Sequence, residues 1–147
     1  MDELDQLIEF LEPYPPSVRE LMLDGRLRLL ELLGPVNEFF FDATAAVCAG
    51  FAHTAKTRDV FVNFAAYSDH VTLVFGWGAS LTDPERRLRG EGNQVRHVRL
   101  KCLEDLSDPY LVGLILAASD RATQPAEPTE PCTIVKIYQG PKRRPKG

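Results

Sequence analysis

The chain has 147 residues, of which 44% are hydrophobic and 26% charged, and carries a formal net charge of -4. This is the make-up of one ordinary globular domain with enough apolar material for a core, and its sign argues against a general nucleic-acid binder. The three cysteines, Cys48, Cys102 and Cys132, are an odd, widely spaced set. That excludes a disulfide framework and a zinc clip, and it predicts buried free thiols in a reducing compartment.

No apolar run approaches membrane-spanning length. The start, Met1-Asp2-Glu3-Leu4-Asp5, is acidic where a secretory signal would be basic. The expectation is a cytoplasmic protein without a membrane partner. Charge is unevenly spread: Asp2, Glu3, Asp5, Glu9 and Glu12 form an acidic block, Arg86, Arg87, Arg89, Arg96, Arg99 and Lys101 a basic stretch, and Lys142, Arg143, Arg144 and Lys146 a basic tail.

From the N-terminus, Leu4, Leu7, Ile8 and Leu11 recur at helical spacing and predict a short helix over Asp2 to Glu12, with all four against a core. Pro13 ends it, and Pro15-Pro16 opens a longer helix marked by Val18, Leu21, Met22, Leu29, Leu30 and Leu33. Gly34-Pro35 stops that helix. Phe39-Phe40-Phe41 predicts a strand, with Ala43 to Ala52 either a second strand or irregular.

The organising stretch runs from Arg58 to Lys101. Val60, Val62 and Phe64 alternate, a turn follows at Tyr67-Ser68-Asp69-His70, and Val71, Leu73 and Phe75 alternate again, which predicts an antiparallel hairpin with one buried face. Asp83-Pro84-Glu85 has the form of a helix start, so a helical turn carrying Arg86 to Arg89 is expected. In Val95 to Lys101, Val98 and Leu100 face the core while His97, Arg99 and Lys101 form a basic stripe. Asp108-Pro109 opens a last helix with a buried stripe of Leu111, Leu114, Ile115, Ala118 and Ala122. The predicted organisation is a domain over residues 1–122, a Pro/Glu linker over 123–132, and a strand-like segment with a disordered basic tail over 133–147. The segment Thr133–Tyr138 is expected to add to a sheet edge, in this chain or in a second copy as a homodimer.

The order Tyr67-x-x-His70-Val71-x-Leu73-x-Phe75, Gly78-Ala79-x-Leu81-x-Asp83-Pro84, Leu88-x-Gly90-x-Gly92 and Arg96-His97-Val98-Arg99 resembles the bacterial DUF1801 family, also called YdhG-like proteins. The resemblance spans roughly residues 7–122. It implies an α+β domain, an antiparallel β-sheet packed by N-terminal and C-terminal helices, similar to the frataxin architecture. One branch of that family is regarded as an intracellular iron chaperone, which makes iron the implied cargo. That branch carries an aromatic-proline segment after the Gly loop, where this chain has Arg96-His97-Val98-Arg99.

Two sets of residues stand out for chemistry. Asp2, Asp5, Glu9 and Glu12 share a helix ridge, and closely placed carboxylates are hard donors suited to an iron-type cation. Trp77, Arg96, His97 and Arg99 combine a stacking face with guanidinium forks, the chemistry of a small anionic ligand. The rest is silent on catalysis: His53, His70 and His97 lack metal spacing and no serine has a nucleophile context. The expected function is non-enzymatic binding, of iron or of a protein partner, and the alternative is a small-anion-binding or catalytic pocket around Trp77, Arg96, His97 and Arg99.

Overall fold

A computed structural model describes residues 1–146 of the chain. Three α-helices, α1 (Glu3–Phe10), α2 (Pro16–Leu33) and α3 (Pro109–Arg121), pack on one face of a six-stranded sheet built from β1 (Asn37–Asp42), β2 (Val47–Ala52), β3 (Val62–Ala66), β4 (Val71–Phe75), β5 (Arg96–Leu100) and β6 (Thr133–Ile137). The sheet order is β5-β4-β3-β2-β1-β6, antiparallel except that β6 runs parallel to β1. This is the α+β class expected, and among the described residues no helix is long and apolar enough to cross a membrane.

Alternation explains the register. Phe64 lies opposite Leu73, and Leu73 opposite Val98, so Val62, Phe64, Val71, Leu73, Phe75 and Leu100 all turn toward the helices and are buried. From α3, Leu111, Leu114, Ile115, Ala118 and Ala122 meet them, as their spacing predicts. Val60 departs from the expected pattern. It precedes the strand and turns to the opposite face, where it packs with Phe39 and Phe41.

Other expectations are corrected. On α1 only Leu7 and Leu11 reach the core, while Leu4 and Ile8 are 38% and 44% exposed, because a helix of eight residues lies along the margin of the sheet. Asp83 does not start a helix. Its carboxylate accepts from the backbone amides of Arg87 and Leu88 and from the Tyr110 hydroxyl, so the side chain closes a loop on α3 instead. Of the cysteines, Cys102 and Cys132 are exposed and only Cys48 is partly covered.

The basic tail is folded back. After β6, the amide of Arg143 donates to the carbonyl of Thr44, and Lys142 Nζ and Arg144 Nη2 each stand 2.6 Å from a different oxygen of the Asp42 carboxylate. A second long-range tie joins α2 to β1. Arg26 meets Glu38 through two bonds of 2.7 and 2.6 Å, with side chains 12% and 5% exposed.

Candidate functional site on the open sheet face

The face of the sheet turned away from the helices is also apolar. Phe39-Phe40-Phe41 sends Phe40 to the helices and the flanking pair outward, where their rings stack 5.7 Å apart. Phe39 and Ala52 are fully buried there although no helix covers them. Part of the cover comes from the connection between β2 and β3, which folds over the face and lays Val60 on it. A hydrogen bond of 2.6 Å from Thr54 Oγ1 to Asp59 closes that connection.

Beside this cover lies a cavity of about 340 Å³. Its floor crosses four strands through Phe41, Cys48, Asn63 and Val74, and its walls are Thr57 and Val60 on one side and Tyr138 on the other. Gly50 lies directly opposite Asn63 across the β2–β3 ladder. Its missing side chain lets Val60 and the Asn63 amide pack against the strand, since a Cβ there would lie 2.9 Å from Val60 Cγ1 and 3.2 Å from Asn63 Oδ1.

The Asn63 amide oxygen is buried and has no hydrogen-bond partner among the described residues. A carboxamide oxygen left so costs about 1–3 kcal/mol, and native cores pair nearly all such groups. Cys48, on the next strand, has its thiol pushed up to about 11, mainly by burial, which the Asn63 amide and the charge of Arg144 only partly oppose. It is a neutral, poorly nucleophilic group at ordinary pH. Of the histidines, His53 stacks on Phe61 and lies 3.0 Å from Ser119 Oγ, His70 pairs with Asp69, and His97 sits in the edge strand β5 opposite Val74. Asn63 thus lines an apolar cavity while its amide oxygen is buried and unpartnered among the described residues.

The residues singled out from the sequence are distributed as follows. Asp2, Asp5, Glu9 and Glu12 are all exposed. Asp2 and Asp5 form a reciprocal capping box, each carboxylate accepting from the other's backbone amide at 2.8 and 3.2 Å. Among the described residues no group of three or more His, Cys, Asp or Glu side chains is positioned to hold a metal ion. Trp77 carries the Arg121 guanidinium 5.6 Å above its ring. Arg96 folds onto the carbonyls of Gly92 and Val95, packing where Gly78 has no side chain, since a Cβ on Gly78 would come within 2.4 Å of Arg96 Cβ. His97 and Arg99 instead share the open face, opposite Val74 and Thr72 across the β4–β5 ladder, with Arg99 4.0 Å from Asp69. The structure thus brings His97 and Arg99 to the margin of the open face and leaves Trp77 and Arg96 with α3 and the Gly loop.

Sequence reasoning missed Asn63, Cys48 and Val60. The signal was present in three successive phenylalanines and in an asparagine amid Val60-Phe61-Val62 and Phe64, since a strand apolar on both sides needs cover on both.

No family model, characterised protein or solved structure matches the chain.

Proposed function

We propose that the protein is a non-enzymatic binding protein for a small, mainly apolar molecule that donates one hydrogen bond, seated on the open sheet face with its donor on Asn63 Oδ1. The observation that carries this reading is that Asn63, which lines an apolar cavity, has a buried amide oxygen with no partner among the described residues. Ligand sites are commonly concavities of about 300–1,000 Å³, mostly apolar with a few placed polar groups, and this cavity stands at the small end of that range. A ligand N–H or O–H supplies the missing partner while its hydrocarbon covers Phe41, Val60 and Val74.

The reading keeps the binding role that the YdhG-like sequence pattern implies and changes the ligand. Iron at α1 draws less support, because the carboxylates of Asp2 and Asp5 are engaged in capping their own helix. A thermal-shift assay with indole, a flat apolar molecule with one donor, tests the proposal, since a ligand selective for the folded state raises the melting temperature. The expected result is a rise in wild type that vanishes in Val74→Glu. A rise with ferrous iron and none with indole, with loss of the iron effect in the Asp2, Asp5, Glu9 and Glu12 alanine variant, would overturn it in favour of the metal.

A further inference from the structure

A second cavity, of about 310 Å³, lies at the end of the sheet where the β1–β2 and β3–β4 turns come together, and it is independent of the open-face site. Tyr14, Tyr67, Ser68, His70, Arg143 and Arg144 line it. The rings of Tyr67 and His70, both at the pocket, stack on each other with centroids 5.0 Å apart and planes 18° from parallel. The imidazole Nδ1 is 2.7 Å from Asp69, which leaves Nε2 as the ring's other polar atom.

The charge here is positive. The folded-back tail carries three successive cations, Lys142, Arg143 and Arg144, of which Lys142 and Arg144 pair with the Asp42 carboxylate. Arg143 is held by its backbone, through the bond to Thr44, while its side chain is exposed and has no ion-pair partner among the described residues. Asp69, the other nearby acid, is paired with His70 and its side chain is 75% exposed. Tyr14 and Arg144 both line the cavity, where burial raises the Tyr14 phenol above its ordinary value and the charge of Arg144 opposes that rise.

We infer that this pocket binds an oxyanion carried on a small planar ring, the shared chemistry of aryl phosphates and aryl carboxylates. Arg143 supplies a free guanidinium fork for the oxyanion, Ser68 a hydroxyl donor, and the Tyr67–His70 pair a stack that the ligand ring extends. The tail completes the pocket, so the site exists only when residues 143–145 are docked.

Titration of the full chain followed by amide NMR tests this, with phenyl phosphate and benzoate as probes and inorganic phosphate and benzyl alcohol as comparators. The expected result is saturable binding of at least one aryl anion with a Kd below about 1 mM, with shifts centred on Ser68, His70 and Arg143. Benzyl alcohol and inorganic phosphate should bind more weakly. Arg143→Ala should weaken the aryl anion about tenfold, as loss of a charge-assisted bond does, and Lys136→Ala, on the other face, should leave it unchanged. Absence of saturation by either aryl anion, equal affinity for benzyl alcohol, or an unchanged affinity in Arg143→Ala would each overturn the assignment.

Discussion

Gly50 faces Asn63 across the β2–β3 ladder, and the space its hydrogen leaves is taken by the Val60 side chain and the buried Asn63 amide oxygen. An added methyl at Gly50 would press on Val60 Cγ1 at 2.9 Å and on that oxygen at 3.2 Å. Gly50→Ala should therefore lower stability by about 1–3 kcal/mol, the usual cost of overpacking, and should remove indole binding. Chemical denaturation and a binding titration on the same variant check both effects.

Asn63 itself should behave unlike most buried polar residues. Removing a hydrogen-bonded group from a core is costly, but the oxygen of Asn63 has no bond to lose. Asn63→Val, which also suits a strand, should leave the unliganded protein within about 1 kcal/mol of wild type or make it more stable. A large drop in the denaturation midpoint would mean that the amide is paired in solution.

The Arg26–Glu38 pair makes the opposite case. Glu38 is almost fully buried and holds the guanidinium through two bonds, with Arg26 also lying 5.5 Å over the Phe40 ring. Glu38→Ala strands a charge between α2 and β1 and should cost about 3–5 kcal/mol. Changing both partners to apolar residues should recover much of that loss, and a double-mutant cycle measures the difference.

The tail should impose a pH dependence. Burial pushes the Asp42 carboxyl up, yet the hydrogen bonds from Lys142 and Arg144 outweigh it and hold the group below its ordinary 3.8. A folded-state pKa below the unfolded one favours folding wherever the carboxylate is ionised. The contribution should be complete above about pH 5 and lost as the pH falls through the folded value. Deleting residues 141–147 should therefore destabilise the protein at neutral pH, by about 1–3 kcal/mol for a charge-assisted contact, and the gap from wild type should close in acid. Urea titrations of both chains across that range provide the comparison.

Thiol chemistry gives an independent report on the open face. Cys102 and Cys132 are exposed, whereas burial pushes the Cys48 thiol up to about 11. At about pH 8 a disulfide reagent should modify Cys102 and Cys132 well before Cys48, because the thiolate is the reactive form. Indole should slow the modification of Cys48 further and leave the other two unchanged.

Much of the fold was legible because local patterns and the final packing agree. The alternation in Val62–Phe64 and Val71–Phe75, the Asp108-Pro109 start and the stripe from Leu111 to Ala122 each carry their own instruction. The candidate site was not legible, because it depends on contacts distant along the chain. Nothing near Gly50 announces that Val60 folds back over it, and nothing near Thr133 announces a parallel place beside β1. The basic tail reads as solvated charge until Asp42, 100 residues before Lys142, is known to receive it. The acidic ridge was misleading for a local reason: Asp2 and Asp5 are spaced for a capping box, a use of the same carboxylates that needs no ligand.

The most direct measurement is calorimetric titration of indole and 1-methylindole into wild type and Asn63→Val, since 1-methylindole has a methyl group in place of the N–H donor and the variant separates the lost donor from the added bulk. Wild type should prefer indole by at least about tenfold, the worth of one hydrogen bond to an otherwise unpaired buried acceptor, and the preference should disappear in Asn63→Val. Equal affinities in wild type, or a preference that survives the substitution, would contradict it.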